Sequence, residues 1–276
     1  MPFGPTSNIQ MLHTDMLGRT IQLPAAPRRI VSLVPSQTEL LFDLGLDEEV
    51  VGITKFCVRP EAQFRRKPRV GGTKKVHRDR IDALRPDLII ANKEENEREQ
   101  IEDLMRDYPV WVSDVPDLEA ALDMIGRVGI LCDRKEQAEV LIDRIRTEFA
   151  PLPPRTLAPL RTAYLIWRDP YLVAGGGTFI DAMLQQAGLQ NVFGKEPRYP
   201  QVDPDEFREA QPQLVLLSSE PFPFREKHRA ELADICPNSV ILLVDGELFS
   251  WYGSRLLHAG RYLRNLRSQI QRSWAM

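Results

Sequence analysis

Cysteine is scarce: Cys57, Cys132 and Cys236 stand far apart in a chain of 276 residues. That spacing suggests neither a disulfide framework nor a CxxC metal site. Histidine is equally thin. His13, His77, His228 and His258 are scattered, so no imidazole set is in place for a bare transition metal, and no histidine is spaced beside a serine or cysteine for nucleophilic catalysis. Ser32, Ser36 and Ser250 lack the sharp strand-to-helix turn that exposes a nucleophilic serine. No segment reaches membrane-spanning length. The opening stretch MPFGPTSNIQMLHTDMLGR has neither the basic nor the apolar region of a secretory signal. As it stands, the chain is expected in the cytoplasm, or in the periplasm if a leader precedes it. Charge of one sign is missing too: 36 Lys and Arg are interspersed with 39 Asp and Glu, a net charge of -3. That balance leaves no basic patch for nucleic acid.

What the chain does have is a hydrophobic fraction of 43% over a length sufficient for two domains. It also has a repeat. Val76-His77-Arg78-Asp79-Arg80-Ile81, running into Ala83, Pro86 and Leu88-Ile89-Ile90, is answered by Val202-Asp203-Pro204-Asp205-Glu206-Phe207, running into Ala210, Pro212 and Leu214-Val215-Leu216. Each copy reads as a short helix opening with acids, a proline that ends it, and an apolar strand. Ser36 to Gly52 likewise echoes Thr178 to Gly194; each starts with a hydroxyl residue followed three positions later by an acid, the spacing of a helix cap, and each reaches Gly-Leu.

Short β-branched runs at Arg29 to Val34, Asp87 to Ala91 and Val110 to Ser113 alternate with helical patterns, and the alternation resumes at Thr162 to Trp167, Gln213 to Ser218 and Ser239 to Val244. The expected fold is α/β: two α/β lobes with mostly parallel sheets, bridged by one long helix, with a ligand cleft between the lobes. The expected divisions are an N-terminal extension over 1–27, a first lobe over 28–134, a bridging helix and proline-rich junction over 135–160, and a second lobe over 161–276. Ala138, Leu141, Ile142, Ile145 and Phe149 share one stripe of the bridging helix. The final helix, from about Ser254 to Arg272, carries a basic face read as solvated.

RIVSLVPSQTE at Arg29 to Glu39, VGITKFCVRP at Val51 to Pro60, the phrase IDALRPDLII and the closing VDGELFSWYGSR together resemble the class III periplasmic binding proteins of ABC importers. Within that group the chain is most similar to the vitamin B12 binders and their haem and siderophore relatives, from about Arg28 to Leu266. The resemblance implies a metal chelate covered by aromatic rings. It places ligand contacts at Ser36 and Phe56, at Thr73 and Asn92 where the B12 binders have tryptophans, and at Leu172 beside Tyr171, Tyr199 and Glu247; Trp251, in a strand-end aromatic group, joins them. It also implies that Asp79 and Asp205 dock a permease, although both suit a helix N-terminus without any partner.

Other features stay open between chemistry and packing. Cys57 reads as a soft ligand or a buried thiol. Lys93-Glu94-Glu95 reads as a polar contact or as the start of the next helix, and Gly175-Gly176-Gly177-Thr178 as an anion cradle or a tight turn. Trp167, Tyr171, Tyr199, Phe249, Trp251 and Tyr252 fall at strand ends or in loops of the second lobe, suiting a flat apolar ligand. The reading is therefore a monomeric solute-binding protein, not an enzyme, with no intrinsic metal or cofactor. Its ligand is a metal chelate such as cobalamin, haem or a siderophore complex, and its partner an ABC permease. The alternative is a cytoplasmic corrinoid or metallocofactor handler, or an enzyme on the same scaffold.

Overall fold

The computed structural model describes residues 11–150 and 159–274, with side chains to Ile270. Two compact units divide it: 1–115 with 120–142, and 116–119 with 143–276. In the first unit β1 (Met11–Thr14) and β2 (Thr20–Leu23) form a hairpin. After it come β3 (Ile30–Ser32), α1 (Pro35–Asp43), β4 (Val50–Ile53), α2 (Glu61–Arg66), α3 (Arg78–Leu84), β5 (Leu88–Asn92), α4 (Arg98–Leu104), β6 (Val110–Ser113) and α5 (Leu118–Leu131). The division falls inside α6 (Lys135–Phe149). The proline-rich junction read at Pro151 onward lies, up to Ala158, outside the described residues.

The second unit runs β7 (Arg161–Trp167), β8 (Tyr171–Val173), α7 (Phe179–Gln186), β9 (Gln190–Asn191), β10 (Gln201–Val202), α8 (Pro204–Glu209), β11 (Leu214–Ser218), α9 (Glu226–Ile235), β12 (Val240–Val244), α10 (Glu247–Ser250) and α11 (Leu256–Trp274). The first unit's sheet is parallel throughout, in the order β4-β3-β5-β6. The second unit's sheet is β10-β8-β7-β11-β12, parallel from β7 to β12 and antiparallel at β8 and β10, with β9 parallel against β7. Strands β3, β5, β6 and β11 are buried along their whole length. A parallel sheet covered on both faces requires this, and it explains why those strands read as unbroken apolar runs.

The repeated phrase is a repeated piece of backbone. Arg85 and Gln211, each just before the proline that follows α3 or α8, are left-handed at φ 44° and 43°. The Arg29 guanidinium donates to the carbonyls of Leu84 and Arg85, and Arg161 donates to those of Ala210 and Gln211. Asp87 accepts the Arg29 amide and Gln213 accepts the Arg161 amide. In each unit, then, one arginine leading the first core strand ties off the carbonyls at the end of the short helix. The Gly-Leu echoes coincide as well: Gly45 and Gly188 have φ 80° and 74°, and Leu46 and Leu189 return hydrogen bonds to Leu41 and Leu184.

One local expectation is corrected. Ser36 does not cap α1, because Pro35 takes the first helical turn and moves the cap to Val34, which makes no side-chain bond. Thr178, with no proline after it, does cap α7, accepting from the Asp181 amide at 3.2 Å. The stretch 1–27, read as an extension, holds the β1-β2 hairpin from Met11 onward; its turn is closed by the Asp15 carboxylate on the Leu17 and Arg19 amides.

Candidate functional site

In open α/β sheets ligands meet the loops beyond the carboxyl ends of the strands, so each unit is considered there. In the first unit this end is a buried polar lattice. The Thr38 hydroxyl donates to the Val34 carbonyl at 2.8 Å and lies 2.7 Å from the Ser32 hydroxyl. The Cys57 sulfur lies 3.1 Å from both Thr38 and Thr54. Asn92 donates to the Ser113 hydroxyl at 2.9 Å and accepts the amides of Glu94 and Glu95. Asn96 accepts the Asn92 amide and donates to the Thr73 carbonyl.

This lattice reassigns several sequence candidates. Asn92 is buried with its amide engaged on both sides, so it shapes the loop that follows β5. Glu94 and Glu95 sit in that Asn92-held loop and not in the next helix, which starts only at Arg98. Cys57 is wholly buried, and burial pushes its thiol up from its ordinary pKa despite the two threonine contacts; a thiol so enclosed is a packing group, not a soft ligand. Ser36 is buried on α1 and Thr73 is half-buried. Phe56 differs from them all: its ring is 50% exposed, with the Lys55 ammonium 4.9 Å from its centroid. Asp79 is exposed on the first turn of α3.

In the second unit the ends of β11 and β12 are stitched by Glu220, a residue that the sequence reading missed. Its carboxylate accepts from the Ser250 hydroxyl at 2.7 Å and from the Trp251 indole at 2.9 Å. Burial pushes this carboxyl up from its ordinary range, and the Ser250 hydrogen bond only partly opposes it. Nothing local flags Glu220, because its partners lie about thirty residues downstream, beyond α9 and β12. Beside it Glu247 pairs with Arg255 at 3.1 Å, and the Arg255 guanidinium stands 5.3 Å from the Trp251 ring. Trp251 is therefore 6% exposed, held at its edge and covered on one face.

Phe249 is fully buried, its ring tilted against that of Tyr164 with centroids 5.0 Å apart, and Tyr252 is buried against Phe179. The strand-end aromatics therefore do not form one open group: Phe249, Trp251 and Tyr252 are interior. Tyr171 is half-buried, its hydroxyl donating to Glu231. Burial disfavours ionisation of Glu231, yet the Tyr171 hydroxyl and the Arg168 guanidinium outweigh it and hold the carboxylate below its ordinary range. Leu172 and Tyr199 are half-buried.

The glycine run before α7 is committed to backbone. Gly175 donates to Arg198 at 2.8 Å, Gly176 to Glu196 at 2.7 Å, and Arg198 back to Gly176. A Cβ at either glycine would strike the carbonyl of Glu196 or of Gly194. The run is thus a close backbone crossing that seats the segment leading to Tyr199, not an anion cradle. Asp205 is 85% exposed on the first turn of α8 and paired with Arg208, while Asp203 caps that helix. Among the described residues no three His, Cys, Asp or Glu side chains converge as metal ligands, and no helix is long and apolar enough to cross a membrane.

Phe56 and Glu220 thus follow β4 and β11, and Glu247 opens α10 after β12, each beyond the carboxyl end of a parallel strand. Residues 30–234 match the sequence model of the family described as periplasmic binding protein. The chain belongs to that family. It is 24% identical over 247 residues to the vitamin B12-binding protein of Pectobacterium carotovorum subsp. carotovorum (strain PC1), covering 87% of this chain and 88% of that one. Among solved structures it is similar to the periplasmic heme-binding protein RhuT from Roseiflexus sp. RS-1 in its apo form, with a TM-score of 0.76, 24% identity and coverage of 88% and 97%. The periplasmic vitamin B12-binding protein BtuF of Vibrio cholerae gives a TM-score of 0.72 at 21% identity, covering 89% of this chain and 98% of that one. These likenesses share the α/β fold of the two units described above.

Proposed function

We propose that this chain is a solute-binding protein that captures a metal chelate, a cobalamin or related corrinoid, haem or a siderophore complex, and delivers it to an ABC-type importer from the periplasmic side. The observation that carries this reading is the alignment with a vitamin B12-binding protein over 87% of the chain. Capture is binding without chemistry: rings cover the ligand's apolar face and polar loops fix its edge. Phe56, half exposed beyond β4, is a ring placed for such a face in the first unit. Ser36, Thr73, Tyr171, Leu172, Tyr199 and Glu247 remain proposed contacts, and Trp251 with Asn92 proposed supports. Asp79 and Asp205, both exposed on first helical turns, are the proposed docking acids.

The test is spectroscopic, since each chelate carries its own chromophore. Purified protein is incubated with cyanocobalamin, hemin and ferric siderophores and passed over a sizing column. Co-elution of one of them in a one-to-one ratio is expected. If none co-elutes with tens of micromolar protein, the reading is rejected.

A further inference from the structure

The near-even charge of the whole chain hides a local excess that its overall balance does not reveal. Residues 55–80 hold ten of the 36 Lys and Arg but only two of the 39 Asp and Glu, namely Glu61 and Asp79. The fold gathers this stretch on one part of the first unit. After α2 the chain returns beside the end of β4, where the Val70 amide donates to Ile53 at 2.9 Å and the Lys55 amide to Gly71 at 2.8 Å. The Gly72 amide closes a turn on Lys75 at 2.7 Å, and Arg80 donates to the Arg69 carbonyl at 3.2 Å. Lys55, Arg59, Arg65, Arg66, Lys75 and Arg80 are exposed along it. Arg78 is spent on Asp82, Asp103 and Asp107, and Lys74 on Glu97. Around α2, however, Arg59, Arg65, Arg66, Lys67 and Arg69 stand against Glu61 and Asp47, so cations remain in excess there. The loop leading into α2 also opens an aliphatic side chain: Val58 is 39% exposed, between the buried Cys57 and the exposed Arg59.

We propose that this basic face, with Val58 as its apolar point, lies against an anionic lipid bilayer. With a net charge of -3, the molecule as a whole is repelled by an anionic surface and is attracted only through this stretch, so attachment here fixes its orientation. The cations are long side chains that stay open, Arg65 at 74% and Arg66 at 61%. Such side chains suit a diffuse layer of headgroups, whereas recognition of a single phosphate calls for a planar fork held in place. A nucleic acid would in addition require rings on which bases stack. Phe64, the ring of α2, is instead half-buried with the Arg69 guanidinium 3.9 Å from its centroid, and the apolar group next to the cations is aliphatic. An aliphatic side chain rimmed by Arg and Lys holds a protein at headgroup depth, because the cations meet the lipid charge while the apolar group enters the acyl boundary. Asp79, a proposed permease-docking acid, lies in the same stretch, so a face turned to a permease is turned to the lipid around it. That last link alone rests on the importer reading, and Phe56, the ring proposed for the chelate, is not needed for the contact.

The test floats the ligand-free protein with vesicles of phosphatidylcholine, with and without phosphatidylglycerol. Binding is expected only where phosphatidylglycerol is present, and it should fall away as salt is raised toward about 0.5 M, where screening shortens the reach of surface charge to a few ångströms. The double variant Arg65→Gln with Arg66→Gln should bind about tenfold more weakly or worse, and Val58→Ser roughly threefold more weakly. Lys227→Gln with Arg229→Gln, exposed on α9 of the second unit, should bind like wild type. Thermal melts alongside check that each variant is folded. Equal binding to both kinds of vesicle, or to neither, overturns the proposal. So does undiminished binding by the Arg65 and Arg66 double variant or by Val58→Ser, an equal loss in the α9 variant, or capture of a single-stranded oligonucleotide in place of the vesicles. Because no chelate is present, failure here leaves chelate capture untouched, and failure to capture a chelate leaves the vesicle result standing.

Discussion

Glu220 offers a perturbation whose size follows from its contacts. Replacing it with alanine strips the acceptor from the Trp251 indole, which is buried, and a buried donor without a partner costs about 1–3 kcal/mol. Ser250 adds little, because its hydroxyl keeps the Gly246 carbonyl at 2.9 Å. The expected loss for Glu220→Ala is thus about 2 kcal/mol. Glutamine preserves an oxygen for both donors, so near pH 4 Glu220→Gln should lie within about 1 kcal/mol of wild type. The pH dependence then separates the two chains. Burial raises the Glu220 pKa in the folded protein above its unfolded value, with the Ser250 hydrogen bond opposing and Glu247 reinforcing. The folded state accordingly holds the proton more tightly than the unfolded chain. Its stabilising contribution is complete below the unfolded value, about 4.3, and is lost as pH rises through the raised folded value. Glutamine does not titrate, so the variant should gain on wild type as pH climbs from about 4. Denaturant unfolding at a series of pH values measures this difference and cancels carboxylates common to both chains, such as Glu231, whose shift has the opposite sign. Parallel wild-type and glutamine curves across that range, or an alanine variant as stable as wild type, would refute the account.

The arginine clasps should behave as a pair: Arg29→Met and Arg161→Met each remove bonds to two helix-end carbonyls, worth about 1 kcal/mol at an exposed position, and calorimetry should show a drop of roughly 2–4 °C in Tm for each. A shift in only one of them would mean that the matching contacts are not energetically equivalent. For the docking acids, Asp79→Ala and Asp205→Ala should leave chelate binding within about twofold, since both are exposed and on the first helical turn, yet lower uptake in a transport assay with the cognate permease. Normal uptake by the double variant would reduce both to helix-end charges.

The strands were legible because burial on both faces leaves an apolar run with no polar alternation, and β6 at Val110–Ser113 coincides with its expected span. The α6 helix, Lys135–Phe149, announced itself through a single apolar stripe. The misreadings have equally local causes. Ser36 has the spacing of a cap, but the preceding proline is better placed to open the helix. Strands β8 to β10 are two or three residues long, too short for any periodicity. Loop position was a poor guide to exposure for Phe249, Trp251 and Tyr252, because α10 folds that segment inward and buries it against Tyr164, Glu220 and Phe179. Glu220 itself was invisible, its role being created by residues thirty positions downstream.

The two units match at the amino ends of their strands and part company at the carboxyl ends. The arginine clasp, the left-handed residue before proline and the Gly-Leu helix stop recur in both, and all of them set where a strand begins. Beyond the carboxyl ends of the strands the side-chain contacts differ. One unit has a buried lattice of Asn92, Asn96, Thr38 and Cys57 with Phe56 open above it, and the other has Glu220 holding Trp251 with Trp167 open. A duplicated frame needs the same local rules twice, so it leaves a repeat that spacing can detect. A ligand need not share the frame's two-fold repeat, and the surfaces that meet it are free to diverge. The residues that answer no counterpart in the other half are therefore the better candidates for recognition, which is why Phe56 carries more functional weight than the paired aspartates that first drew the two halves together.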